Sequence, residues 1–177
     1  MKKLMVASAL TIGVLAIGVF AQTPRKPGAE ETRIGYFAGQ WNVEGEVMPF
    51  PGWPSGKFNS SETCEWFAGG FQLICHSEGT IPWHGAVKVR VVLAYSPMGK
   101  TYTYHRISNL GSTYFWEGTV SGNVWTWTME SNVDGKLTKS RMTVTERSPI
   151  SYTVKIEFST DGGAFVLLEE MKASKVQ

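Results

Sequence analysis

From Gly39 to Ala173 one pattern recurs: apolar and polar residues alternate over short stretches, separated by tight turns rich in glycine, asparagine and aspartate. A period of two sends successive side chains to opposite faces of a strand, and turns this short join only neighbouring antiparallel strands. Two of the turns fix the register. With Gly122-Asn123 as a two-residue turn, Tyr114, Trp116, Val120, Trp125, Trp127 and Met129 share one face, leaving Glu117, Thr126 and Thr128 on the other. With Asp134-Gly135 as the next, Trp127 meets Met142, Trp125 meets Val144 and Glu130 meets Lys139. That last pair is a cross-strand charge match worth about 0.2–1 kcal/mol. Turn chemistry and face polarity therefore agree over three successive strands.

The reading extends in both directions. Gly39-Gln40-Trp41 opens a first strand with Trp41, Val43 and Val47 on one face and Asn42, Glu44 and Glu46 on the other. Met48 to Lys57, with three prolines, is a loop. Cys64 to His76 folds back about Gly69-Gly70, placing Cys64 opposite Cys75 and Trp66 opposite Leu73. Val87, Val89, Val91, Leu93 and Tyr95 alternate with Lys88 and Arg90. Thr101 to Ser108 then meets Asn109-Leu110-Gly111. As a three-residue loop, this puts Tyr102, Tyr104 and Arg106 on the face of Tyr114 and Trp116, whereas a two-residue turn brings in His105 instead. Ile150, Tyr152, Val154, Ile156 and Phe158 face one way before Asp161-Gly162-Gly163 leads into a last strand from Ala164 to Ala173.

Ahead of the strands, Glu30 to Phe37 has acids at its start and Ile34 and Phe37 three apart, the pattern of one short helix or turn that plugs the domain. The fold class expected is all-β, about ten antiparallel strands after a short N-terminal helix. Closing them into an up-and-down barrel removes the edges a flat sheet would expose, and a two-sheet sandwich is the alternative.

Residues 1–21 read as an export signal: Lys2 and Lys3, an apolar run from Leu4 to Phe20, and small residues before a cleavage point at Ala21. The competing reading, a retained anchor, needs ~17–25 apolar residues, and this run is at the short end. No stable membrane span is expected after cleavage. Residues 22–29 form a polar, proline-containing leader, and 30–177 a single domain. The mature chain, about 156 residues, loses two of the 17 basic residues and none of the 15 acidic ones, so its formal charge is zero. A neutral chain argues against nucleic acid as a partner, since that binding depends on a clustered basic face.

The only two cysteines are the facing pair Cys64 and Cys75, which in an exported chain reads as a disulfide. A two-residue turn would put them at a hydrogen-bonded pair, whose wider Cα spacing suits a disulfide poorly. A slightly different turn relieves this. The expected location is secreted or periplasmic.

Catalytic patterns are missing. His76, His84 and His105 lie on separate segments without metal-ligand spacing, and there is no nucleophile elbow, phosphate loop or Cys-x-x-Cys. The sequence therefore suggests no catalytic residues, metal ligands or cofactor. What stands out is one interior wall of Tyr102, Tyr104, Tyr114, Trp116, Trp127 and Met142 with Arg106 among them. An arginine facing an apolar interior is costly unless it meets an acid or an anionic ligand. Either the rings fill the core while Arg106 reaches the rim or pairs with a carboxylate such as Glu169, or the wall holds a molecule with an acidic group and an apolar body.

The combination Cys-Glu-Trp-Phe-Ala-Gly-Gly-Phe at 64–71, Cys-His-Ser-Glu-Gly at 75–79, Tyr-Thr-Tyr at 102–104, Trp-Thr-Trp-Thr at 125–128 and Ser-Pro-Ile-Ser-Tyr-Thr at 148–153 resembles an exported bacterial family, domain of unknown function 1579. Gly39-Gln40-Trp41 is similar to the Gly-x-Trp opening of lipocalin-like (calycin) barrels. The resemblance implies a calycin-like barrel without an assigned activity. Some related barrels, the nitrobindins, hold haem iron with one histidine, a role open to His105 only in the alternative register. The function expected is binding of a small hydrophobic or amphipathic molecule. A filled-barrel envelope or interaction protein, with an apolar patch at Phe50 to Trp53, is the alternative, and a hydrolase, isomerase or haem barrel a further one. The oligomeric state is left open.

Overall fold

Short antiparallel turns leave each strand no neighbour but those before and after it, and the chain follows that constraint to closure. The computed structural model describes residues 25–50, 54–81, 83–133 and 135–176. Its strands are β1 (Gly39–Val47), β2 (Gly56–Trp66), β3 (Gln72–Ile81), β4 (Gly85–Ser96), β5 (Thr101–Ser108), β6 (Thr113–Ser121), β7 (Val124–Val133), β8 (Lys136–Ser148), β9 (Ser151–Thr160) and β10 (Val166–Lys175). They pair in sequence order and β10 closes onto β1, so the sheet is a closed ten-stranded up-and-down barrel and not a sandwich.

The registers follow from the turns. Val120 lies opposite Trp125, Trp127 opposite Met142, and Glu130 opposite Lys139 with Nζ 2.7 Å from Oε1. The Asn109 to Gly111 loop has three residues. Ser108 N–H donates to the Ser112 carbonyl across it, and Gly111 takes the left-handed φ of +81° that the geometry requires. Arg106 therefore faces inward opposite Tyr114, and His105 faces outward opposite Phe115, which removes the alternative register.

The central hairpin keeps the expected pairing but turns differently. Phe67 N–H donates to the Gln72 carbonyl and Gly70 N–H to the Phe67 carbonyl, so four residues, 68–71, form the loop. The pairing stays in register while the hydrogen bonds shift by one pair, making Cys64 and Cys75 a close, non-hydrogen-bonded pair. Their Cα atoms are 4.0 Å apart and the sulfurs are bonded.

The base of the barrel is plugged. Helix α1 (Ala29–Arg33) begins where Gly28 N–H donates to the Glu31 carboxylate at 2.8 Å, and a 3-10 turn follows over Ile34–Phe37. Ile34 and Phe37 are buried in the core, Phe37 O accepts the Trp41 indole N–H at 2.8 Å, and Tyr36 OH donates to the carbonyls of Ser148 and Ser151. Arg33 pairs with Glu146 at 2.6 Å. In the leader, Arg25 pairs with Glu31 and lies over the Phe71 ring.

One expected core residue is displaced. Ile150 does not join the inward row of β9 but sits exposed in the turn. There, the ladder slips between Glu146 and Ser148, and the Ile150 N–H is taken by Ser148 Oγ at 3.2 Å. The signal at 1–21 and residues 51–53 of the Phe50 to Trp53 loop lie outside the described residues. Among the described residues, no helix is long and apolar enough to cross a membrane.

Candidate functional site

The inward-facing side chains largely divide by depth, with Val47 at the mouth end of β1 a buried exception. Toward the plug, Trp41, Leu73, Val91, Leu93, Trp125, Val144, Val154 and Ala173 are buried and close the barrel with solid packing. Toward the opposite end, the same inward rows carry Phe58, Ser60 and Glu62 on β2, Ser77 on β3, Tyr104 and Arg106 on β5, Met129 and Ser131 on β7, Ser140 on β8, Ile156 on β9, and Glu169 and Met171 on β10. All of these remain partly accessible. These side chains line the partly accessible half of the barrel interior, the lumen, with Tyr104, Met129, Ile156 and Met171 packed against the core below them. The lumen opens at the end of the β5–β6, β7–β8 and β9–β10 turns, where the Phe50 ring packs edge-on against Phe158, 4.8 Å away.

The residues singled out in the sequence all face inward but fall on both sides of this division. Tyr102, Trp116, Trp127 and Met142 are buried in the packed half, with Trp127 stacked on Trp125 at 5.3 Å. Tyr104, Arg106 and Tyr114 belong to the accessible half. Gly118 makes the packing possible: a Cβ there would lie against the Thr126 carbonyl and the Trp127 ring.

The lumen's polar groups have unspent hydrogen-bonding capacity. The Arg106 guanidinium donates to Ser112 Oγ at 3.2 Å and lies 5.7 Å from the Tyr114 ring centre, but among the described residues it forms no ion pair. Glu169, also near the mouth, is not within salt-bridge reach. Burial pushes its carboxyl up, and the Arg106 charge works against that shift. Deeper, Glu62 accepts one long hydrogen bond, from Tyr152 OH at 3.5 Å, and burial raises its pKa to about 7. The Tyr104 hydroxyl has no partner among the described residues. Burial first, and the Glu62 charge next, push its phenol well above the usual range.

Sequence reasoning passed over Glu62, although its parity with Cys64 on β2 would have placed it inside. Glu62, Cys64 and Cys75 lie close together, but the two sulfurs are bonded to each other and have no lone thiolate to offer a metal. His105 is exposed, with Nε2 3.3 Å from Thr113 Oγ1, and His76 and His84 are not in the lumen either, so none of them reaches an interior haem. What the lumen offers is a cation and a carboxyl near the mouth, a carboxyl and a phenol at the floor, and apolar Met129, Ile156 and Met171 on the walls.

Fold and site together define a small antiparallel barrel, plugged at its base and partly accessible toward its mouth, where the interior is of mixed polarity. The chain belongs to the family described as protein of unknown function DUF1579, which matches it over residues 26–174. No curated protein matches it in sequence. Its backbone is similar to that of Rv2717c from M. tuberculosis, with a TM-score of 0.60 at 10% identity over 85% of this chain and 99% of that one. It is also similar to the S-type phycobiliprotein lyase of Guillardia theta, with a TM-score of 0.55 at 15% identity over 84% and 93%. At these identities the likeness is one of fold.

Proposed function

We propose that the protein binds a small amphipathic molecule in the lumen, with its acidic group against Arg106 near the mouth and its apolar body along Met129, Ile156 and Met171. The observation that carries this reading is Arg106, a permanent cation held inside a barrel wall without an ion-pair partner among the described residues. Such a group is stabilised when an anion arrives, and the apolar wall beside it favours an anion with a hydrophobic body. Binding without catalysis is part of the reading, as is export, with which the Cys64–Cys75 disulfide is in keeping.

Tryptophan-fluorescence titration with fatty acids tests it, because Trp116 and Trp127 lie directly below the lumen. A saturable change is expected in the wild type, with affinity at least about tenfold weaker in Arg106→Leu. A flat response across the series contradicts the proposal.

A further inference from the structure

The floor of the lumen is built for something the apolar walls are not. Glu62 projects from β2 into the barrel, and its carboxylate can accept several hydrogen bonds, yet among the described residues it has a single one at 3.5 Å. Cys64 Sγ is nearby but, being in the disulfide, carries no proton to donate. Across the lumen, Tyr104 presents a hydroxyl with no partner among the described residues, while its ring is held 5.9 Å from that of Trp127. A buried acceptor left this empty costs about 1–3 kcal/mol, more when charged, unless something fills it.

Arg106, by contrast, lies two residues from the end of β5 at the mouth, level in the hydrogen-bonding direction with Val91, Cys75 and Cys64. Glu62 and Arg106 are therefore separated by three strand spacings, about 14 Å around the wall, and by two residues along it. The two charges form no ion pair with one another in the structure, and a single small molecule can span them.

We propose that the bound molecule is bifunctional: besides the acid that meets Arg106, it carries a hydroxyl or amine at its other end that donates to Glu62 and contacts Tyr104. This rests on the binding reading above. It excludes simple fatty acids as the best-fitting class, since a methyl end would leave both floor groups unpaired.

Calorimetric titration at pH 8 with octanoic, 8-hydroxyoctanoic and 8-aminooctanoic acid tests it. The wild type is expected to bind at least one of the two bifunctional acids about tenfold more tightly than octanoic acid. Glu62→Leu and the nearly isosteric Tyr104→Phe, each checked for cooperative melting, are expected to lose most of that preference while keeping their affinity for octanoic acid. A stronger response to the amine than to the hydroxyl assigns the floor to a cation, and the reverse to a neutral donor. Octanoic acid bound as well as both others overturns this inference alone. No saturable binding of any of the three overturns the binding reading, and this inference with it.

Discussion

Tyr152 points its hydroxyl at Glu62 Oε1 from 3.5 Å, at the level where the packed base of the barrel gives way to the lumen. The phenol belongs to the packed core, and the Glu62 carboxyl points into the barrel beside it. Burial is the main influence on Glu62, and the bond from Tyr152 only partly offsets it, so its pKa stands near 7 in place of the ordinary 4.5.

That shift makes the barrel's stability depend on pH in a defined direction. Between pH 4.5 and about 7 the native state keeps a proton that the unfolded chain has released, so stability falls as pH rises, by up to ~1.4 kcal/mol per unit. The contribution is intact below 4.5 and fully lost above about 7. The groups nearest Glu62 are the Tyr152 and Tyr104 phenols, both held protonated by burial, and neither changes charge in this window. Glu62→Gln cannot ionise, so its melting temperature should match the wild type near pH 4 and exceed it by several degrees at pH 8. Equal melting temperatures at pH 8 would remove the buried carboxylate from the account.

Trp125 and Trp127 are stacked neighbours with different polar fates. The Trp125 indole N–H donates to Glu146 Oε1 at 2.6 Å and its ring lies 4.8 Å under the Arg33 guanidinium, whereas the Trp127 N–H, buried at 1% exposure, has no partner among the described residues. Replacing either by phenylalanine removes a similar volume, but only Trp125→Phe also removes a hydrogen bond to a charged group. Trp125→Phe should therefore be the less stable variant by about 1.5–3 kcal/mol in urea denaturation. The opposite order would mean that Trp127 has a partner in solution.

Gly118→Ala tests the tightness of the packed half. The added methyl has no room between the Thr126 carbonyl and the flat face of Trp127, so strand or ring must shift at a cost of about 1–3 kcal/mol. Alanine at Gly122, where nothing lies within 4 Å of the added carbon, meets only backbone strain. A blue- or red-shifted tryptophan emission should accompany Gly118→Ala and not Gly122→Ala.

Reduction of Cys64–Cys75, which closes an eleven-residue separation, should lower unfolding free energy by about 2–3 kcal/mol without opening the barrel, since β2 and β3 stay paired from Asn59–Thr80 to Trp66–Leu73. Denaturation curves with and without reductant read this directly. Loss of cooperative unfolding on reduction would contradict it.

The faces of the strands were legible in the sequence because turn length and glycine placement fix register, and register fixes which side chains point inward. Depth along the barrel axis was not. Tyr102, Trp116, Trp127 and Met142 face the same interior as Tyr104 and Arg106, but the shear of the barrel and the position of the plug decide which of them are fully buried and which stay partly accessible. The lumen also erases its own signal. On β2 the inward positions Phe58, Ser60 and Glu62 alternate with Lys57, Asn59 and Ser61, so the stretch shows little apolar periodicity where it lines accessible space. The hairpin loop at 68–71 was misread by two residues because Ala68 and Phe71 carry no turn signature of their own.

The accessible half of the barrel is proposed to hold a ligand. Native mass spectrometry tests it most directly, using wild-type protein and a variant with Ser77→Phe and Ser140→Phe, which fills the lumen from two walls without touching the packed base. After incubation with 8-hydroxyoctanoic acid, a one-to-one complex is expected for the wild type, and none for the filled variant when it still melts cooperatively. Equal complex formation by both proteins, or none by either, would contradict the account.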